Sequence, residues 1–382
     1  MSWSIVELGD LAEFRNGINY NQNNFGSGIK VVGVVNFQNY IKPRYNELEE
    51  VNPEGVVKEE DILQNNDILF VRSNGNKDLI GRSLFIESPP EPITFSGFCI
   101  RTRFTSNQAF PRFFAYLFRS DLIRKTLSAY GGGTNIANLN QKILSRLQVP
   151  LPPLPTQQRI AEILSTYDRL IDNNNRRIAL LEESIHQLYK EWFVRSRFPG
   201  YESVKVVNGI PDGWSRVEFG EALILQRGFD LPSKNRKSGD VPVYASTGIN
   251  GFHDTPKVKA PGVVTGRSGT VGSVMYVQKH FWPLNTTLWV KEFKKVTPPF
   301  AYCLLSQMDL NSYQAGAAVP TLNRNVIHEV KILLPSEQLQ RKFDNFANSI
   351  LIQIEILKKY NYNLRQARDL LLPPLMNGSI AV

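Results

Sequence analysis

The chain has 382 residues, of which 42% are hydrophobic and 21% charged, a balance typical of a soluble protein with two or three domains. Two cysteines, Cys99 and Cys303, give no disulfide framework or zinc site, and no apolar run approaches the ~20 residues of a membrane span. The first residues lack a signal-peptide pattern, so a reducing cytoplasm is the expected location. The net charge of +9 is mild, and residues 200–333 hold most of it, with 15 Lys and Arg against 10 Asp and Glu. This charge suggests a polyanion partner without requiring one.

Residues 1–150 read as a mixed domain. The β-branched runs 30–35 and 67–71 predict strands. Residues 110–127 predict an amphipathic helix whose aromatic stripe belongs to the core. Two glycine-containing loops follow strand or helix signals, at Arg72 to Arg82 and at Gly131 to Asn135.

Residues 151–199 form the first helical region. From Ile160 to Trp192 the apolar residues alternate at spacings of four and three, which is the heptad pattern of a coiled coil. The single polar residue in this pattern is Asn174. A buried amide at one core position fixes helix register, so Asn174 is predicted to be a register residue.

Residues 200–333 repeat the first domain. Trp3-Ser4 recurs as Trp214-Ser215, Arg72-Ser73 as Arg267-Ser268, and Leu139-Asn140 as Leu322-Asn323. Matching residues in the same order with shorter connections predict a second copy of the fold with diverged loops.

Residues 334–382 form the second helical region. A heptad pattern from Leu339 to Leu371 resembles the first at a displacement of 179 residues, and it places Gln353 at the position of Asn174. A closed arrangement of two globule-plus-helix repeats predicts an antiparallel pair, with Asn174 opposite the layer of Leu357 and Gln353 opposite Ile178. The alternative is one separate long core helix in each domain.

No catalytic constellation is present in the sequence. There is no Gly-x-x-x-x-Gly-Lys-Ser/Thr phosphate loop and no Asn/Asp-Pro-Pro-aromatic tetrapeptide of an amino-methyltransferase. The four histidines are scattered and lack neighbours at metal-ligand spacing. The sequence therefore favours a chain that recognises or connects other molecules.

The polar glycine loops are the candidate contacts. Arg, Ser, Asn and backbone N–H groups in such loops can bind DNA phosphates or read base edges. The alternative is a hairpin turn in which glycine is required for positive φ.

These features resemble the specificity (S) subunit of type I restriction-modification enzymes over essentially the whole chain. The most specific motifs are Val149 to Gln158 and Ile332 to Gln338, which look like the family's proline-then-Glu/Gln-Gln start of each helix. Gly209 to Trp214 resembles the family's domain opener, and Gly266 to Gly272 a recurrent recognition loop. The first copy differs in having Gln157 where the second has Glu337, and in its expanded loop Arg72 to Arg82.

The resemblance implies an α+β, pseudo-two-fold architecture of two similar target recognition domains (1–150 and 200–333) and two helical regions (151–199 and 334–382). It implies a non-catalytic subunit that binds double-stranded DNA, two modification subunits and restriction subunits. The chain itself would hold no cofactor, because S-adenosylmethionine would be bound by the modification subunit that methylates adenine. Each domain would read half of a split, asymmetric target, and the coiled coil would set the spacer.

Two sets of residues follow as expected contacts. The expected DNA-binding residues are Arg72, Ser73, Asn74, Lys77, Arg82, Thr134, Asn135, Arg267, Ser268, Thr270, Thr321 and Asn323. The expected partner-subunit interface includes Gln158, Arg176, Arg177, His186, Gln338 and Arg365 on outward helix faces. Two other interpretations stay open: a coiled-coil scaffold without a DNA role, and a fused methyltransferase or nuclease.

Overall fold

The computed structural model describes residues 3–21, 24–37, 41–73, 76, 79–130, 139–315 and 321–382. The chain divides into two compact units, which we call the first unit (1–171 and 362–382) and the second unit (172–361). Each long helix contributes one part to each unit.

The globular part of the first unit is mixed α and β. Its elements are β1 (Ser4–Glu7), β2 (Ala12–Asn16), β3 (Phe25–Val32), β4 (Glu49–Val51), β5 (Ile68–Val71), β6 (Ser83–Phe85), β7 (Ile93–Phe95), β8 (Cys99–Phe104), α1 (Pro111–Leu117), α2 (Asp121–Tyr130), α3 (Gln141–Ser145) and β9 (Gln148–Leu151). One antiparallel sheet has the order β2-β8-β5-β6, a second sheet has the order β4-β3-β7 with β3 and β7 parallel, and β1 pairs with β9.

Strand β5 is buried on both faces, which explains its continuous apolar sequence. Ile68 and Phe70 pack in the core that holds α1, whereas Leu69 and Val71 pack in a second core under β3 and β7. Alternate side chains of a strand point to opposite faces, so one strand connects the two cores. The aromatic stripe of residues 110–127 is core, as predicted, with Phe113 and Phe114 fully buried.

The first long helix, α4 (Leu154–Tyr189), starts directly after the prolines at 152–153. Proline favours the first helical turn because its missing N–H has no intrahelical partner there. The helix ends in a single wide turn, Lys190–Val194, followed by Pro199-Gly200.

The second unit repeats the topology of the first. Its elements are β10 (Val206–Val207), β11 (Ile210–Pro211), β12 (Ser215–Glu218), α5 (Phe219–Ala222), β13 (Leu223–Arg227), β14 (Val241–Ala245), β15 (Gly248–His253), β16 (Gly262–Gly266), β17 (Val274–Val277), β18 (Trp282–Pro283), β19 (Thr287–Phe293), α6 (Pro298–Gln307), β20 (Gln314–Ala315), β21 (Thr321–Leu322), α7 (Arg324–His328), β22 (Lys331–Leu334) and α8 (Glu337–Met376). The sheets β13-β19-β16-β17 and β15-β14-β18 and the pair β12-β22 correspond to those of the first unit, including the parallel contact of β14 with β18. The predicted α+β class with two similar mixed domains is confirmed.

The long helices run antiparallel within each unit. In the second unit Asn174 Nδ2 donates to Asn361 Oδ1 at 2.9 Å, and Lys358 lies 3.5 Å from Glu182. Rising numbers on α4 thus meet falling numbers on α8. In the first unit Arg368 Nη1 donates to Asp168 Oδ1 at 2.5 Å.

The register differs from the sequence prediction. Gln353 is exposed, so its assignment as a buried register residue is wrong, and Asn174 meets Asn361, four residues beyond the predicted Leu357. Asn361 also donates through Nδ2 to Asn175 Oδ1 at 2.8 Å. The buried amide pair is therefore Asn174 with Asn361.

The cause is the displacement used to match the two long helices. The sequence pattern matches them at 179 residues, which is about one helical turn less than the displacement of the repeats. The buried line on α8 continues from Phe343 to Ala347, both 0% exposed, whereas the predicted line continued to Phe346, which is 55% exposed. From Phe343 a step of three residues leads to Phe346 and a step of four leads to Ala347, and a heptad pattern allows either step. The repeats match at a displacement of 183 residues, which is the spacing between Leu139 and Leu322.

Candidate nucleic-acid interface

Arg72 occupies a junction between two loops of the first unit. Its backbone N–H donates to the Phe98 carbonyl at 2.8 Å, and its own carbonyl accepts from the Leu139 N–H at 2.9 Å. Its guanidinium Nη1 donates to the Gly97 carbonyl at 3.3 Å, and the side chain is half-buried. The loop that follows β5 is thereby fixed to the segment before β8 and to the segment before α3.

Arg267 makes the same contacts in the second unit. Its N–H donates to the Thr286 carbonyl and its carbonyl accepts from the Leu322 N–H, both at 2.8 Å. Its Nη1 donates to the Asn285 carbonyl at 3.4 Å. A guanidinium has five N–H donors, so each arginine can hold its loop junction and still present donors to a ligand.

In the second arginine loop, Gly266 to Gly272, the backbone conformation explains why glycine is present. A Cβ on Gly266 would lie 1.8 Å from the Thr270 carbonyl oxygen. Gly269 and Gly272 have φ of 82° and 90°, which favours glycine. The turn interpretation therefore accounts for the glycines, and the contact interpretation rests on the polar side chains between them.

The remaining predicted DNA contacts in the second unit lie close to this loop. Ser268 forms a β-bridge with Thr321, which brings the two predicted segments together. Asn323 accepts the Asn325 N–H through Oδ1 at 3.0 Å, as a helix cap, and Thr270 is exposed. Ser268, Thr321 and Thr270 thus form one cluster with Arg267.

In the first unit, fewer of the predicted DNA-binding residues lie within the described part of the chain. Ser73 is half-buried, and Arg82 Nη1 lies 3.5 Å from the Phe37 carbonyl oxygen. Asn140 caps α3 by accepting the Ile143 N–H at 2.9 Å, as Asn323 caps α7. Four predicted contacts lie outside the described residues: Asn74, Lys77, Thr134 and Asn135.

The predicted partner-interface residues divide into two groups. Five are exposed on the long helices: Gln158, Arg176, Arg177, Gln338 and Arg365. His186 does not point outward, because its ring packs 5.4 Å from that of Tyr302 in its own unit. Burial lowers the pKa of His186.

Sequence reasoning missed a pair of buried glutamines that connect each globule to its helix. Gln157 Oε1 accepts the Phe110 N–H at 2.8 Å, and its Nε2 donates to the Gln108 and Pro152 carbonyls. Gln340 makes the matching bonds to Thr297, Lys295 and Pro335. The sequence motif matches Gln157 with Glu337, and the buried counterpart of Gln157 is therefore missed. The signal that identifies Gln157 and Gln340 as a pair is a Gln five residues after a proline.

A second missed feature is an apolar stripe on α8 in the second unit. Ile352, Ile356 and Tyr360 are 52%, 46% and 57% exposed. Spacings of four residues place them on one helix face. The heptad pattern from Leu339 to Leu371 counts Tyr360 as a core residue and leaves out Ile352 and Ile356.

Among the residues described, no helix combines the length and apolar composition needed to cross a membrane. The same part of the chain holds no group of three or more His, Cys, Asp or Glu side chains arranged for a metal ion.

The duplicated α+β fold with two long helices is the fold of a known class of DNA-modification subunits. The structure is similar, with a TM-score of 0.58 and 17% identity, to the S subunit of a type I restriction-modification system from M. genitalium, covering 98% of this chain and 96% of that one. The family model described as type I restriction modification DNA specificity domain matches twice, at residues 1–183 and 211–364. The chain belongs to this family.

Two curated relatives show the extent of the similarity. The chain is 25% identical over 404 residues to the putative type I restriction enzyme MjaX specificity subunit of Methanocaldococcus jannaschii, covering 100% of this chain and 94% of the relative. It is 29% identical over 197 residues to the EcoKI specificity subunit of Escherichia coli, covering 49% of this chain and 40% of that protein. The similarity therefore extends over the whole chain in the first case and over half of it in the second.

Proposed function

We propose that the chain is the subunit that determines the DNA target of a type I restriction-modification complex. Each unit would read one half of a split, asymmetric target, and the paired helices would set the unread spacer between the halves. The observation that carries this proposal is the arginine junction, in which Arg72 and Arg267 make the same three hydrogen bonds in two loops of different length and sequence. A fixed junction with variable neighbours suits a scaffold that presents different base contacts in each unit.

Among the predicted contacts, the arginines are assigned to DNA phosphate. Each is held at the base of its loop by backbone bonds that any target sequence would leave unchanged. Contacts that position a protein on the duplex go mostly to phosphates, whereas bases are read by the side chains that vary. Ser268, Thr270 and Thr321 are then the candidates for base reading in the second unit.

The partners are assigned from the helix surfaces. The stripe Ile352, Ile356 and Tyr360 is a continuous apolar face on a helix, and burying such a face favours association with another helix. We assign it, with the exposed polar residues Arg176, Arg177 and Arg365, to contacts with the two modification subunits, which restriction subunits would join. The modification subunit, working in the cytoplasm, would bind S-adenosylmethionine and methylate an adenine flipped out of the duplex. The chain itself would perform no chemistry.

Modified-base sequencing tests this function. Genomic DNA from cells that co-express the chain and its modification subunit should carry a split methylated motif, and DNA from cells lacking only the chain should not. If the complex assembles and no motif depends on the chain, a scaffold or an inactive system becomes the better interpretation. If the purified chain alone methylates or cuts DNA, it is an enzyme in its own right.

A further inference from the structure

The second unit contains an open groove of about 700 Å³ whose lining holds three cations and one carboxylate. Three elements of separate sequence position supply the cations: Arg227 ends β13, Lys291 lies in β19 and Arg324 begins α7. The amide side chains of Gln226 and Asn325 also line it. Cations from three separate elements thus converge on one open surface.

None of these cations is neutralised within the part of the chain that the structure describes. Arg227, Lys291 and Arg324 are exposed, and no ion pair involves them. The one carboxylate in the lining, Asp230, accepts a hydrogen bond from Asn285 Nδ2. The groove therefore carries a net positive charge.

A histidine also lies beside these cations. His328 lies in the groove wall, and its Nε2 accepts the Leu225 N–H at 3.0 Å. Burial lowers the pKa of His328, and the positive charges of Arg324 and Lys294 lower it further. Neighbouring cations raise the free energy of placing a further positive charge at this site. A bound anion would offset this electrostatic repulsion.

The matching region of the first unit is neutralised instead. Lys291 corresponds to Arg103, whose guanidinium binds both carboxylate oxygens of Asp67 at 2.8 Å. The residue that corresponds to Asp67 is Gly262, and a Cβ there would lie 2.4 Å from the ring of Phe281. The second unit has therefore lost the carboxylate partner and kept the cation.

Two other arginines of the first unit are also paired with carboxylates. Arg15 on β2 pairs with Asp61 at 2.8 Å and with Glu60, and Arg101 on β8 pairs with Glu13 at 3.4 Å. In the first unit these arginines are paired with carboxylates, whereas in the second unit the groove cations are exposed. The groove thus accounts for part of the positive charge excess of residues 200–333.

The groove adjoins the second arginine loop. Asn285 connects them, because its carbonyl accepts from Arg267 Nη1 at 3.4 Å while its Nδ2 donates to Asp230. Asn323, which follows the bridge between Ser268 and Thr321, is the cap of the helix that Arg324 begins. A ligand bound at the loop would therefore extend naturally across the groove.

We infer that this groove binds the sugar–phosphate backbone of duplex DNA next to the half-target of the second unit, so that the second unit supplies more sequence-independent affinity than the first. The inference rests on the proposed function. Flexible exposed cations on three elements suit phosphates, which accept a point charge from several directions, whereas base reading needs fixed bidentate geometry.

The test is the salt dependence of DNA binding by the complex of the full chain with its modification subunit. Binding of a fluorescent duplex carrying the methylated motif is measured by anisotropy from 50 to 200 mM KCl. Each phosphate contact contributes about −0.9 to the slope of log K against log salt concentration. The triple variant R227A/K291A/R324A removes three contacts and should have a slope shallower by about 2.7. Over this fourfold salt range, the affinity of the wild type should therefore fall roughly 40-fold more than that of the variant. Modified-base sequencing should give the same motif for both.

Two controls make the result specific. The charge-matched triple variant K205A/R216A/K279A removes three exposed cations of the same unit outside the groove, and should keep the wild-type slope. The conservative variant R227K/R324K should also keep it, because a phosphate accepts an ammonium as well as a guanidinium.

The outcomes separate the two proposals. If the wild-type complex does not bind its duplex, the proposed function fails. If the wild type binds and the groove variant keeps the full slope, or the charge-matched variant loses as much, the groove is not a phosphate site although the function stands. A changed motif in the groove variant would mean that these residues read bases, which would also overturn the inference.

Discussion

The buried asparagine pair gives the sharpest stability prediction. Asn361 is 2% exposed and makes two side-chain hydrogen bonds, accepting from Asn174 at 2.9 Å and donating to Asn175 at 2.8 Å. In Asn361→Ala the exposed Asn175 can turn to water, but the Asn174 amide, 9% exposed, keeps no partner. A buried donor left unsatisfied costs about 1–3 kcal/mol, so the variant should lose about 2 kcal/mol of local stability.

Native-state hydrogen exchange measures this loss without requiring the two units to unfold together. A loss of about 2 kcal/mol should raise exchange of the backbone amides of α8 in the second unit roughly 30-fold. The matched control is Gln353→Leu, which changes an exposed amide on the same helix and should stay within about 0.5 kcal/mol.

A double variant, compared with its two single leucine variants Asn174→Leu and Asn361→Leu, completes a thermodynamic cycle. Asn174→Leu with Asn361→Leu removes both buried amides and should recover most of the stability lost by either single change, because replacing both partners by apolar groups is nearly neutral. The reasoning would be refuted if Gln353→Leu cost as much as Asn361→Ala, or if Asn361→Ala changed exchange less than threefold.

Three further predictions concern the contacts of the long helices with the globular parts and the second arginine loop. Gln157→Ala and Gln340→Ala should each cost about 1–3 kcal/mol, because each leaves one buried and two partly buried backbone groups without their side-chain partner. Thermal melts of the full chain should show a lower Tm than for exposed-residue variants. Arg267→Ala should weaken DNA binding and make the salt slope shallower by about 1 with an unchanged methylated motif, whereas a changed motif would assign it to base reading. Burial raises the pKa of Asp344, so its contribution favours folding at acidic pH and is lost as pH rises through its folded pKa. Asp344→Asn, which can still accept from the Thr297 hydroxyl, should therefore raise Tm more at pH 7 than at pH 3; an equal change at both would contradict the assignment.

The sequence predicted the repeated fold because local patterns carry it. In α4 the heptad pattern named residues that are buried, such as Ile160, Leu164 and Ile185, each 0% exposed. On α8 two apolar lines fit the heptad pattern, one through the larger Phe346, which is 55% exposed, and one through the small Ala347, which is buried in the core of the second unit. Propensity and spacing cannot resolve that choice, because it depends on the space available after packing.

The candidate site was predicted less completely. Arg72 and Arg267 were found because their neighbours repeat, but the backbone bonds that fix them join residues about 20 to 70 positions apart. The cationic groove could not be predicted at all, because Arg227, Lys291 and Arg324 are brought together only by folding. Lys291 has no ion pair among the described residues whereas Asp67 neutralises Arg103, and this difference becomes apparent only when folding shows which strands are neighbours.

The central claim is that each unit reads its own half of the DNA target. The most direct measurement is modified-base sequencing of DNA from cells that co-express the modification subunit with a chimaera in which residues 200–333 come from a relative with a different target. The account predicts a motif with one half retained, one half replaced by that of the relative, and the spacer unchanged. A motif in which both halves change, or neither does, would contradict it.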